Sequence, residues 1–248
     1  RSMSKTWPTP TTVIMPGRWG ERYYILCPLA AGMGRRFDLV AFDMDGVLID
    51  YPSSWTWVHD HFGVRNRNSV DAFLRGEIDD MEFMRRDISL WMGKSPGLCH
   101  ADMTAILEPL PMMTGLAETM TALRREGVKC VIVSGGIGSV AGQIASRYGF
   151  DDYLANGYEC GPDGSLTGNG VLNVWLKSKR DALSRFQRKY GVEKDRTASI
   201  GDSFIDISMF DLSGLGIAFN PIDDYVTERA DHVIRERDLR MVLPLLLE

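Results

Sequence analysis

The sequence predicts an α/β protein: a doubly wound parallel sheet with a block of helices inserted after its first strand. Three observations predict it. Short apolar runs recur at 38–43, 129–134, 197–201 and 215–219. Stretches of helical periodicity alternate with them, which is the pattern of a parallel sheet covered by helices on both faces. Between residues 43 and 129 the strand character disappears, and apolar positions instead recur at helical spacing.

Residues 1–36 differ from the rest of the chain. Thr9 to Pro16 is rich in Thr and Pro, and Pro16-Gly17-Arg18-Trp19-Gly20 suits a hairpin turn. The apolar run Tyr23 to Met33, behind Arg18 and Arg22, faintly resembles a secretion signal, but Pro28 interrupts it and the remaining chain shows no secretory trait. These residues are read as an extension with no assigned role. The first strand of the sheet is Leu39-Val40-Ala41-Phe42. Helices are then expected over Trp55–Phe62, Val70–Leu74, Met81–Met92, Met103–Leu107 and Leu116–Leu123, separated by Gly and Pro. After the second strand, Ile137, Val140, Ile144 and Tyr148 make one apolar stripe that Gly149 closes as a C-cap. Asp163-Gly164-Ser165-Leu166-Thr167-Gly168 reads as hairpin-like. A helix over 178–190 stops at Gly191, and another covers 204–212 before the last apolar run.

Composition bounds the function. At 248 residues the chain holds one large domain, or a domain and a smaller one. A net charge of -5 and a pI near 5.5 leave no polybasic footprint for nucleic acid or a membrane surface. No apolar run reaches membrane-spanning length. Cys27, Cys99, Cys130 and Cys160 are far apart and form no Cys-x-x-Cys pair, so neither a zinc site nor a disulfide scaffold is expected. His59, His61, His100 and His232 show no metal-ligand spacing either. The expectation is a cytoplasmic protein with neither nucleic acid nor membrane as partner.

The strand Leu39–Phe42 ends in Asp43-Met44-Asp45-Gly46, two carboxyls one residue apart. On extended chain, residues i and i+2 point to the same side. Like charges crowded at a buried strand end need a cation or a shared proton. Asp43 is not alone at the rim: Ser134 ends Val131-Ile132-Val133, and Asp202 ends Ala198-Ser199-Ile200-Gly201. In open parallel sheets ligands bind outside the carboxyl ends of the strands. Gly135-Gly136 and a helix start come directly after Ser134, and backbone N–H groups at a helix N-terminus suit a phosphate.

Asp43-x-Asp45-Gly46, Ser134 after an apolar strand, a later lysine and Gly201-Asp202-Ser203-Phe204-Ile205-Asp206 together resemble the haloacid dehalogenase superfamily. Over about residues 37–248 the chain is most similar to its phosphoserine-phosphatase branch, with Val133-Ser134-Gly135-Gly136 and Asp206-Ile207-Ser208-Met209-Phe210 as further matches. The resemblance implies a Rossmann-like core over 37–50 and 115–248 with a helical cap over 51–114. It implies Mg²⁺-dependent hydrolysis of a small phosphomonoester through an aspartyl-phosphate. Asp43 would be the nucleophile and Asp45 the acid and base. Ser134, Gly135 and Lys179 would hold the phosphate. Mg²⁺ would take Asp43, Asp45 (through its backbone carbonyl) and Asp202, with Asp206 in support.

Bland readings stand beside these. Ser134 also fits a helix N-cap, and Asp206 fits a first-turn acid. Lys177 competes with Lys179, but Lys179-Arg180-Asp181-Ala182-Leu183 opens a helix while Lys177 sits in the loop before it. Trp55, Trp57, Trp91 and the methionines read as core, and His59 and His61 as solvated or hydrogen-bonded helix residues. Ile205 stands where the family commonly carries Asn. The positions of the cap glutamate and arginine that in phosphoserine phosphatases read the serine fall near Pro52 and Asp87. Phosphoserine is therefore expected to be a poor substrate, and the entrance helix Ser54–Phe62, with Trp55, Trp57, His59 and His61, to suit a phosphosugar or a phosphorylated carboxylic acid. The rival functions are a phosphomutase or phosphotransferase acting on a phosphosugar, suggested by Phe42-Asp43-x-Asp45-Gly46-Val47, and a non-catalytic phospho-ligand-binding module, suggested by Ile205.

Overall fold

The computed structural model describes residues 13–16, 22–25 and 35–247. The chain divides into two units, Arg1–Gly34 and Arg35–Glu248. In the first, β1 (Val13–Pro16) pairs antiparallel with β2 (Arg22–Ile25), and Pro16 lies opposite Arg22. The turn expected between them lies outside the described residues.

The second unit is built on seven strands: β3 (Leu39–Phe42), β4 (Lys129–Ile137), β5 (Asp152–Cys160), β6 (Leu166–Val171), β7 (Thr197–Gly201), β8 (Leu215–Phe219) and β9 (His232–Ile234). Their order is β6-β5-β4-β3-β7-β8-β9. All pairs are parallel except β5 with β6. The sheet is the predicted Rossmann-like α/β core. β3 lies inside it, fully buried along its length, which is why it reads as an unbroken apolar run rather than an alternating one. Leu39 and Ala41 face one side, packed with Val131, Val133, Leu183, Phe186 and Met209. Val40 and Phe42 face the other. There Phe42 meets Phe150 edge-on, with ring centroids 5.5 Å apart.

Between β3 and β4 lie α1 (Ser54–Phe62), α2 (Arg67–Leu74), α3 (Asp80–Lys94), α4 (His100–Leu107) and α5 (Leu116–Arg125). Each covers its expected segment. The Ser53 hydroxyl caps α1 by accepting from Thr56 N–H, and Gly63 ends it at φ 63°. Asp79 caps α3 through Glu82 N–H. The remaining helices are α6 (Gly138–Tyr148), α7 (Arg180–Tyr190), α8 (Ile207–Phe210), α9 (Asp224–Arg229) and α10 (Leu243–Leu246).

Two features depart from the sequence reading. β4 runs three residues past Ser134, with a register shift against β5 between Ser134 and Ile137, so α6 starts only at Gly138. Strands β5 and β9 were not expected. β5 carries Asn156-Gly157, poor strand formers that pairing with β4 and β6 overrides, and β9 is only three residues long at the sheet edge.

Candidate active site

The site lies where β3, β4 and β7 end. Because Phe42 is in register with Ile132 and Ile200, the residues after each strand arrive at one rim. Asp43 N–H donates to Ile200 carbonyl at 2.9 Å, which extends the ladder one residue and fixes the Asp43 backbone. Its side-chain Oδ1 accepts from Met44 N–H at 2.6 Å and pairs with Lys179 Nζ at 2.6 Å. No donor reaches Oδ2 among the described residues.

Lys179 caps the start of α7 and is 3% exposed. Its ammonium bridges Asp43 and Asp206, at 2.6 Å from each. The other oxygen of Asp206 accepts from Asp202 N–H, Ser203 N–H and the Ser203 hydroxyl at 3.0–3.1 Å. Both Asp206 oxygens are thus engaged, and they shape the turn that carries Asp202. Lys177 is elsewhere. It donates to Phe73 carbonyl at 2.9 Å, with its Nζ 4.3 Å from the Phe73 ring centre.

Asp45 faces the same space. Its Oδ2 accepts from the Ser54 hydroxyl at 3.2 Å, while its Oδ1 is buried with no partner. The chain turns away at Gly46, at φ 76°, and a side chain there would put Cβ 2.1 Å from an Asp202 oxygen. Only glycine lets the Asp45 and Asp202 segments come this close. Ser134 is 1% exposed and accepts from Gly136 N–H at 3.0 Å, leaving its own proton free to donate. It does not cap α6, whose N-cap is Ile137. Gly135 carbonyl accepts from Trp55 Nε1–H at 3.1 Å, which ties α1 to the end of β4.

Crowding these acids shifts their protonation. Burial pushes Asp43 up to about 6 even though Lys179 pulls it down. Burial and the neighbouring Asp43 push Asp45 to about 7. Burial, Asp43 and Asp206 push Asp202 to about 9. Burial acts to lower Lys179, but Asp206 and Asp43 beside it reverse the effect and raise it. The ammonium therefore stays charged, while the acids lack positive charge. One oxygen each from Asp43, Asp202 and Asp206 lies within 4.8 Å of the others. Among the described residues no donor reaches the Asp202 carboxyl, so Asp202 is free to take a hard cation beside Asp43, and an all-oxygen set fits a magnesium-type ion.

All seven predicted residues, Asp43, Asp45, Ser134, Gly135, Lys179, Asp202 and Asp206, gather here, and all but Asp206 line a single cavity of about 390 Å³. The haloacid dehalogenase-like hydrolase family matches residues 40–211. The chain belongs to that family. It is 36% identical to the phosphoserine phosphatase SerB2 of Mycobacterium tuberculosis over 61% of this chain and 36% of that protein. The chain thus spans about a third of that relative's length. The phosphoserine phosphatase of Wolinella succinogenes is 29% identical over 83% of this chain and 98% of its own. A solved phospho-aspartyl intermediate analogue of phosphoserine phosphatase superposes with a TM-score of 0.72 at 26% identity, covering 86% of this chain and 100% of its own.

In this haloacid dehalogenase-like hydrolase, several residues of the site were not found from sequence. Ser54 is fully buried and joins Asp45 to the strand end, since its oxygen also accepts from Ile137 N–H at 2.9 Å. Its only sequence signal was its place at the start of a helix. The far wall of the cavity is formed by α1, α2 and α3. Trp91 is core, as expected, but Trp55 lines the cavity, and so do His59, Asn66 and Asp87. Of the two states expected for His59, solvated or hydrogen-bonded, it takes the second: it is buried, and its Nδ1 accepts from Trp91 Nε1–H at 2.6 Å.

Proposed function

We propose that the protein is a Mg²⁺-dependent phosphatase that hydrolyses a small phosphomonoester through a phosphorylated Asp43. One observation supports this above the others: Asp43 and Asp45 face one cavity, each with one oxygen held and one free. Lys179 and Met44 N–H hold Asp43 Oδ1, so Oδ2 is aimed by default and attacks phosphorus. The alkoxide leaves with a proton from Asp45, and a pKa pushed up to about 7 keeps that proton available at neutral pH. The Asp45 carboxylate then takes a proton from water as the water attacks the acyl phosphate. Inorganic phosphate leaves, and Asp43 is restored. One slow displacement becomes two faster ones.

Lys179, the Ser134 hydroxyl and the Gly135 segment would hold the phosphoryl oxygens. Asp43, Asp202 and the Asp45 carbonyl would hold Mg²⁺, with Asp206 locking the Asp202 turn. When bound, the ion would offset charge on the acids and on the transferring group. Residues 37–50 and 115–248 serve as the catalytic core and residues 51–114 as its helical cap. Cys99, Cys130 and Cys160 are free thiols, which suits a cytoplasmic enzyme.

The test is to quench the enzyme in acid during turnover of p-nitrophenyl phosphate and to map the phosphoryl group by mass spectrometry. It should lie on the peptide carrying Asp43 and vanish in Asp43→Asn together with turnover. Near-normal turnover by Asp43→Asn would end the proposal.

A further inference from the structure

The helical wall of the cavity has a charge pattern of its own. Asp87, on α3, is 2% exposed and lines the cavity. Both its oxygens accept from one group, the Asn66 side-chain amide, at 3.0 Å each. His59 Nε2 faces Asp87 at 3.4 Å, within ion-pair distance if the ring is protonated, but it makes no hydrogen bond. Since His59 Nδ1 accepts from Trp91, the ring in its neutral form carries its proton on Nε2. Asp87 is thus oriented by a fixed chain of side chains, yet no lysine or arginine meets it. Arg85 and Arg86, its neighbours in sequence, turn outward to Glu82. Among the residues lining the cavity Lys179 is the one lysine or arginine, and it is held between Asp43 and Asp206.

A buried carboxyl that has an amide and an imidazole edge beside it, but no lysine or arginine, is costly unless something completes it. The cavity lining is apolar and largely aromatic: Trp55, Phe73, Phe83 and Met84 are in the helical wall, and the half-exposed Trp175 and Phe204 also line it. Aromatic faces attract organic cations, and a desolvated carboxyl pairs with them. An anionic leaving group would instead meet like charge, with no lysine or arginine on that wall to hold it.

We propose that Asp87 sets substrate choice, and that the enzyme acts on phosphomonoesters whose alcohol portion carries an ammonium group that pairs with Asp87 against the aromatic wall. This rests on the reading of the protein as a phosphatase. It narrows the substrate expectation drawn from sequence: a phosphorylated carboxylic acid is disfavoured, and phosphoserine is poor because its carboxylate finds no partner.

The experiment compares kcat/KM for O-phosphoethanolamine, its uncharged isostere propyl phosphate, anionic phosphoglycolate and p-nitrophenyl phosphate. O-phosphoethanolamine should exceed propyl phosphate by about 10- to 100-fold, the range expected for a hydrogen bond to a charged group, and phosphoglycolate should be the poorest. In Asp87→Asn, which keeps the side-chain shape, the ratio of amine to propyl substrate should fall towards one. A merely structural role for Asp87 would lower all four rates together and leave that ratio unchanged, which overturns the proposal. The wild-type panel needs no variant: a ratio of one or less there overturns it alone. If p-nitrophenyl phosphate is turned over with no amine preference, only this inference fails. If none of the four is hydrolysed, the phosphatase reading fails with it.

Discussion

The cavity has two ends, and they treat charge in opposite ways. At the strand ends three buried acids surround one buried ammonium, and Lys179 lies 2.6 Å from both Asp43 and Asp206. At the helical end Asp87 is as deeply buried but has only an amide and a histidine edge beside it. The rim is charge-balanced in part by the protein itself, which suits a group common to every substrate, the phosphate. The helical wall leaves a charge for the substrate to complete, which suits the part that differs between substrates. Rim substitutions should therefore cost rate on every phosphomonoester, and wall substitutions should change which one is preferred.

The largest effect expected at the rim is from Asp43→Asn, a loss of about 10⁴-fold or more in kcat for p-nitrophenyl phosphate, since it removes the attacking oxygen. Asp45→Asn should cost about 10²–10⁴-fold, the range of a single acid–base group. Steady-state rates on a good and a poor leaving group check this. Asp45→Asn should spare the p-nitrophenyl ester relative to an alkyl ester, whose alkoxide needs the proton more. Equal losses on both would remove Asp45 from the acid role.

Lys179→Ala comes next. Losing a preorganised cation beside the phosphate should cost about 10²–10³-fold in rate. It also strands Asp43 and Asp206 without a counter-charge, and breaking a buried pair typically costs about 3–5 kcal/mol. Lys177→Ala removes only a bond to Phe73 carbonyl and a contact with its ring, about 1 kcal/mol. Urea unfolding and kcat measured on both variants separate them. Similar losses from the two would show that the phosphate-facing lysine has been misplaced.

The two ends also differ in how far the sequence discloses them. Asp43, Ser134 and Asp202 each sit immediately after, or at the end of, a short apolar run, so the topology of a parallel sheet alone brings them together. The fold was legible for the same reason: unbroken runs such as Leu39–Phe42 can only be buried strands once helices flank them. What stayed hidden depends on contacts between distant positions. Asn66 reaches Asp87 and Trp91 reaches His59 across neighbouring helices, and no local pattern marks those pairings. β5 was missed because Asn156-Gly157 opposes strand formation locally. Its role is to hold the loop beyond β6, with Asn156 accepting from Asn173 and Val174 N–H at 2.8 Å. Ser134 was open to two readings, and the continuation of β4 to Ile137 removes the N-cap one.

Metal addition gives a smaller, thermodynamic contrast. Mg²⁺ at about a hundredfold excess over its Kd should stabilise the folded protein by about 2.7 kcal/mol, seen as a higher Tm. Asp202→Ala should abolish most of that gain, because it deletes an acid no donor satisfies, whereas Asp87→Asn should leave the metal-induced shift intact. A full Mg²⁺ shift in Asp202→Ala would count against its place in the metal set.

The smallest effect concerns pH in the metal-free protein. Asp43, Asp45 and Asp202 have folded values raised to about 6, about 7 and about 9. A carboxyl whose folded value is raised binds its proton more tightly folded than unfolded. Its favourable contribution is complete below the ordinary carboxyl range near 4 and is lost as pH climbs to the folded value. Acids held low by surface partners have the opposite sign. Asp38 beside Arg196 and Glu82 between Arg85 and Arg86 lose stability only as pH falls below the ordinary range. Between pH 5 and pH 8 the rim therefore dominates among the acids, and metal-free Tm should fall across that window. Asp45→Asn cannot lose a proton at position 45, so its Tm should fall less steeply between pH 5 and pH 7, and saturating Mg²⁺ should flatten the wild-type slope. Thermal melts of both proteins in metal-free buffers across this window measure it. Parallel slopes for wild type and Asp45→Asn would mean that the buried, unpartnered Asp45 oxygen is not the source of the strain.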